Sequence, residues 1–206
     1  VIAGRREGKL IGAAYDAEFA LAKTEDVSSE RPVEEDNWVR AVERLDSLGV
    51  DIITTSLGYN VFDDPQYNYS KDEMDGNTAV TTSAADMAAG KGIFVVTSAG
   101  NEGANSWNIV TAPADADSAV AVGAVYSAGG IATFSSGRPT ADGRIKPEVV
   151  ALGANVYTAQ HGGFTAYSFS DGTSFAAPLV AGAAALILSA HPELAPMDVA
   201  EALKMT

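Results

Sequence analysis

The sequence predicts an α/β fold, with a mostly parallel sheet and helices on both faces. Three observations predict it. Short β-branched runs alternate with segments of helical period, the pattern of parallel strands joined by crossover helices. Residues 173–190 are apolar on every side, which places a helix in the middle of a protein rather than on its surface. The 206 residues are 47% hydrophobic and 19% charged, enough for one domain with a buried core.

The elements follow in order. Val1, Ile2, Ala3 and Gly4 read as the tail of an apolar helix, and residues 18–23 (EFALAK) as a strand. Trp38, Ala41, Val42, Leu45 and Leu48 fall at helical spacing, and Gly49 is a stop signal. Residues 51–56 (DIITTS) form a β-branched strand, followed by a long loop over 57–77. Residues 78–89 make the next helix, with Ala84, Met87 and Ala88 on one face. Strands are predicted at 93–98, 119–124 and 146–151. The helix over 173–190 reaches membrane-spanning length, but Pro178, Gly182 and its alanines suit close packing on a sheet. Pro196 opens a last helix over 196–204.

A net charge of −14 argues against a basic patch for nucleic acid or an anionic membrane. It suits a protein working outside the cell; no signal peptide is visible in the sequence. With no cysteine, disulfides, thiolate catalysis and cysteine-bound zinc are excluded. The two histidines, His161 and His191, argue against a multi-histidine metal site.

Three stretches could carry chemistry. Asp171-Gly172-Thr173-Ser174 runs into the apolar helix, and on these residues alone Ser174 reads as a helix cap. The same position lies at the positive end of a helix among unpartnered N–H groups, where a serine attacking a carbonyl would find its oxyanion stabilised. Pro178 fits a first turn that needs no N–H donors. In residues 95–103 (VVTSAGNEG) a strand ends in a small-residue turn carrying Asn101, either a turn former or an amide donor to an oxyanion. Residues 54–60 (TTSLGYN) again run from strand to glycine turn.

Together these stretches resemble the subtilisin-like serine proteases, the subtilases. Gly172, Thr173, Ser174, Ala176 and Pro178 match the family's Gly-Thr-Ser-x-Ala-x-Pro motif. Ser98, Ala99, Gly100 and Asn101 match its oxyanion asparagine motif, and Ser56, Leu57 and Gly58 its substrate strand. Residues 119–125, 134–136 and 181–192 are also similar, so the likeness covers nearly the whole chain. The resemblance implies a three-layer subtilisin-like fold, incomplete here, with residues 1–206 as the C-terminal larger part of one catalytic domain truncated at both ends. It implies a secreted endopeptidase acting on protein or peptide, with Ser174 as nucleophile and Asn101 and the Ser174 N–H at the oxyanion. Ser56, Leu57 and Gly58 would pair with extended substrate, and Ala99 and Gly100 would line the first specificity pocket.

Family order puts the catalytic Asp and His ahead of the substrate strand, and neither is in this sequence. The resemblance therefore implies that this chain alone is inactive, and that a companion N-terminal chain or segment supplies both residues. It also implies that the sheet lacks the Asp-bearing strand and exposes unpaired edges. His161 has no following helix, and His191 follows the apolar helix before Pro192, so neither is expected to act as the base. Smaller departures are Glu148 and Leu152, where the family usually has Asp and Pro, and Gly137, one place early in FSSGRP. Loop 59–77, rich in Tyr, Asp and Glu, reads as a solvated acidic rim with aromatic self-packing; the sharper readings are a preference for basic or aromatic side chains, or calcium. Structural calcium has no assignable ligands, and no cofactor is required for the chemistry. A second reading, a protease-derived binding domain without catalysis, is separated by the residues upstream of Val1. A third, an α/β-hydrolase elbow over 172–176, fails on Ala176 and on the lack of a following acid–histidine pair.

Overall fold

The elements are β1 (Arg5–Arg6), β2 (Leu10–Ile11), α1 (Val33–Leu48), β3 (Ile52–Thr55), α2 (Val80–Gly90), β4 (Phe94–Ser98), β5 (Val120–Val125), β6 (Val149–Leu152), β7 (Val156–Ala159), β8 (Tyr167–Ser170), α3 (Thr173–Ala190) and α4 (Pro196–Lys204). They come from a computed structural model that describes residues 1–163 and 165–205. The predicted α/β class holds: β3, β4, β5 and β6 form one sheet in that order, parallel throughout.

Successive side chains of a strand point to opposite faces, so a sheet covered on both sides is apolar at every position. β4 is buried along its whole length. Phe94 and Val96 pack with Val120, Val122 and residues of α3 and α4, including Ala176, Val180 and Val199. Val95 and Ile53 turn the other way, onto Trp38 and Val42 of α1 and Ala84, Ala85 and Ala88 of α2. The result is three layers. Each fully buried Val or Phe contributes about 1.5–3 kcal/mol of transfer free energy.

α1 stops at Gly49, whose φ of 73° is a left-handed conformation that glycine adopts without a Cβ clash. α3 is long and apolar enough to cross a membrane by length and composition alone. Here its small residues lie on the sheet, and a Cβ on Gly182 would come 2.9 Å from that of Ala13.

Several expectations fail for physical reasons. Residues 18–23 form no strand; Phe19 is 46% and Leu21 93% exposed. A strand needs a ladder partner, and the sheet ends at β3. Residues 1–4 are not helical. They run antiparallel to the chain that returns after β2, with Gly12 N donating to Gly4 O at 2.7 Å and Ala14 N to Ile2 O at 3.3 Å. Met87 is exposed, and the buried face of α2 is alanine and threonine. Leu152 is the last residue of β6. Glu148 is well accommodated: it pairs with buried Lys146 and accepts from Ala121 N at 2.8 Å. Moving glycine to position 137 leaves Arg138 at φ 117°, where a side chain is strained.

Candidate active site

β3 and β4 both end toward the start of α3, so their carboxyl ends meet a helix N-terminus. Gly172 precedes α3 at φ 143°, a conformation only glycine adopts readily, and α3 begins at Thr173. Ser174 is therefore the second residue of the helix and not its cap.

Its hydroxyl donates to Ser56 O at 3.4 Å. In return, the Ser56 hydroxyl donates to Ser174 O at 3.0 Å. Pro178 explains the second bond. It lies inside α3, past the first turn where it was expected to fit, and it has no N–H for the carbonyl four residues back. That carbonyl belongs to Ser174, and Ser56 satisfies it.

Thr173 fixes Asn101. Its backbone N–H donates to Asn101 Oδ1 at 2.9 Å, and its hydroxyl lies 3.1 Å from the same oxygen. The Thr173 hydroxyl also bonds the backbone of Gly100, accepting from its N–H at 3.2 Å. An N–H donor demands an oxygen, so the Asn101 carbonyl faces Thr173 and its NH₂ faces away. A Cβ built on Gly172 would lie 3.7 Å from Asn101 Nδ2 and 3.7 Å from Ser174 N. Two N–H donors thus flank one point beside the serine. Sequence reasoning placed both residues but missed Thr173 as their link; the partners are 72 positions apart.

Ser56 and Gly58 are exposed, and Tyr59 N donates to Ala112 O at 2.9 Å, holding the strand extension in place. Ala99 is buried and Gly100 half-buried. Thr111 lies between these two stretches and was not singled out from the sequence. Its backbone N–H donates to Ala99 O at 3.3 Å, and its side chain is buried.

The other flank of Ser174 is open. Among the described residues the outer edge of β3 has no ladder partner. A groove of about 410 Å³ runs between Thr54, Thr55, Ser56 and Leu57 on one side and Ala22, Lys23, Thr24, Glu25 and Val27 on the other. Neither histidine reaches it. His161 is exposed in the turn of the β7–β8 hairpin, at the opposite end from Ser170 and roughly 10 Å or more from it at 3.3 Å per residue. His191 caps the far end of α3 and pairs with Glu193 at 3.4 Å.

Carboxylates tie the groove's outer wall to loop 59–77. Glu34 accepts from Asp26 N and Arg31 N, and Glu25 accepts from the Tyr59 hydroxyl at 2.7 Å. Glu35 accepts from the Tyr69 and Thr81 hydroxyls; burial pushes its carboxyl up, against the pull of those two donors. Asp63 and Glu30 exchange two hydrogen bonds beside a second groove of about 610 Å³. Within the loop, Tyr59, Phe62 and Met74 form a buried cluster, while Asp75 and Glu73 accept from nearby backbone N–H groups. Among the described residues no group of three or more His, Asp or Glu side chains is placed to hold a metal ion.

A model of the subtilase family matches residues 1–206. Subtilisin DY of Bacillus licheniformis is 38% identical over 169 residues, covering 82% of this chain and 53% of that protein. Subtilisin E of Bacillus subtilis (strain 168) is 37% identical over 172 residues, covering 82% and 39%. The chain thus spans about half the length, or less, of these curated relatives. Among solved structures, the self-cleaved protease domain of PatA superposes with a TM-score of 0.76 at 24% identity, over 97% of this chain and 69% of that one. A cold-adapted subtilisin-like serine proteinase gives 0.64 at 26%, over 83% and 54%.

Proposed function

The chain belongs to the subtilase family, and from that premise we propose that it is the nucleophile-bearing part of a secreted serine endopeptidase that cleaves protein or peptide substrates. The observation that carries this reading is that Asn101 Nδ2 and Ser174 N both lie 3.7 Å from the one position where a Cβ on Gly172 would stand.

In this reading an extended substrate lies along Ser56, Leu57 and Gly58 as an added strand, and Ala99 and Gly100 line the pocket for the residue before the scissile bond. Ser174 Oγ attacks the scissile carbonyl carbon while its proton passes to a base. The carbonyl oxygen becomes an oxyanion held by Asn101 and the Ser174 N–H, at the positive end of α3. The tetrahedral species collapses as the base returns the proton to the leaving amine, and water then hydrolyses the acyl-enzyme.

The base comes from a companion N-terminal segment bearing the catalytic Asp and His. The unpaired edge of β3 and its groove support this: they offer backbone groups to an added strand next to Ser174. The chain alone is inactive in this reading, because among the described residues its serine hydroxyl hydrogen-bonds a carbonyl alone, which cannot take the proton. The test is labelling with a fluorophosphonate probe. The complete protein should label, its Ser174→Ala variant should not, and this chain alone should not label. A complete protein that carries Asp and His yet stays unlabelled and hydrolyses nothing would leave the binding-domain reading standing.

A further inference from the structure

The groove of about 610 Å³ beside the first turn of α1 lies outside the proposed substrate cleft. Glu30, Pro32, Val33, Asp63, Asp64 and Tyr67 line it. Val33 is 51% and Tyr67 52% exposed, so apolar surface faces solvent there. Backbone bonds hold the two walls together: Glu30 N donates to Asp63 Oδ2 at 3.2 Å, and Asp63 N to Glu30 O at 2.9 Å. Among the described residues none of the three carboxylates pairs with a Lys or Arg, not even with Arg31 on the same lining. Burial and the carboxylates of Glu34, Glu25 and Asp63 push the Glu30 carboxyl up. The fold thus gathers negative charge at this groove without pairing it to a cation of its own.

The lining says which cation fits. Among the described residues these carboxylates are not placed to share a metal ion. The apolar surface beside them suits a Lys or Arg side chain, whose methylene stem lies on Val33 and the Tyr67 ring while its charged end reaches the carboxylates. The position says where that side chain comes from. Glu30 is three residues past Val27 on the outer wall of the cleft, and Asp63 is five past Gly58. These are spans of at most roughly 10 and 17 Å at 3.3 Å per residue. A polypeptide lying along Ser56, Leu57 and Gly58 reaches this groove with residues further from the scissile bond.

We propose that this groove is an exosite for the substrate polypeptide, taking a Lys or Arg side chain about five to eight residues before the scissile bond. This rests on the protease reading above.

The experiment measures kcat/KM of the complete enzyme on peptides identical around the scissile bond, with Lys, Ala or Glu at one of those four positions. At the best position Lys should exceed Ala by about three- to tenfold, the combined size of a surface ion pair and a cation–π contact. Glu should fall below Ala, and the Lys gain should shrink as salt is raised. Glu30→Gln combined with Asp64→Asn, checked by its melting temperature, should bring Lys and Ala level and leave kcat/KM on the Ala peptide unchanged. Glu43→Gln, exposed and about 15 Å further along α1 than Val33, should leave the Lys preference intact. No Lys preference at any of the four positions overturns the proposal, as does one kept by the double variant or lost equally in Glu43→Gln. No turnover of any peptide would sink the protease reading instead. The Lys/Ala ratio is then read as Kd for the complete protein, where equal values overturn the exosite.

Discussion

Ser174 has two unlike flanks. Toward Asn101 the turns beside the serine are tied to one another: Thr173 to Asn101 and Gly100, Gly172 N to Gly153 O, Ser136 N to Gly100 O. Toward β3 the sheet simply stops, and the opposite wall is held at a distance by carboxylates bonded to tyrosine hydroxyls and backbone N–H groups. The closed flank is built from neutral amides and hydroxyls, and it is complete without help. In the proposed reading the difference teaches that stabilising an oxyanion and activating a nucleophile are separable tasks, the first assigned to the closed flank and the second to the open one.

Substitutions on the closed flank should break the contrast most. Ser174→Ala in the complete enzyme should lower kcat by about 10⁶-fold, a magnitude taken over from subtilisin itself. Asn101→Ala should cost about 10²–10³ in kcat with little change in KM, again by the precedent of subtilisin, because the amide acts on charge that exists only in the transition state. Gly172→Ala has room, its nearest neighbour being 3.6 Å away, but imposes a strained φ; unfolding should become easier by about 1–3 kcal/mol, read as a lowered Tm. Arg138→Gly should act in the opposite direction, relieving φ 117° and raising stability by about 1 kcal/mol in a denaturant titration.

The smallest effect sharpens the open flank. Burial raises the Glu35 carboxyl, so the folded state holds its proton more tightly than the unfolded chain. Stability from this group is greatest below the unfolded value near 4.5 and falls as pH rises from there through the raised folded value. Glu35→Gln should flatten that slope in urea titrations between pH 4.5 and 8, with little effect on Asn101 or on labelling of Ser174.

Much of the fold could be read from the sequence because the inner strands of the main sheet have two covered faces. Ile53, Val95, Val96 and Val122 announce burial by composition alone. Phe19 and Leu21 carry the same signal, yet a strand is a property of a pair, and their partner is not beside them. The two-residue strands β1 and β2 are too short to show any period. At the site, Ser174 and Asn101 stood out by motif. Thr173 did not, since its hold on Asn101 arises from contacts across 72 residues.

The two bonds between Ser56 and Ser174 also set how arming would occur. The main chain of Ser174 is tethered through its carbonyl, so in the proposed reading the serine's backbone is in place before a base docks beside it. Only the 3.4 Å hydroxyl contact has to be given up, by rotation about a single side-chain bond. Such rotations take picoseconds to nanoseconds. Activation on assembly should therefore keep step with docking itself, with no slower rearrangement following it.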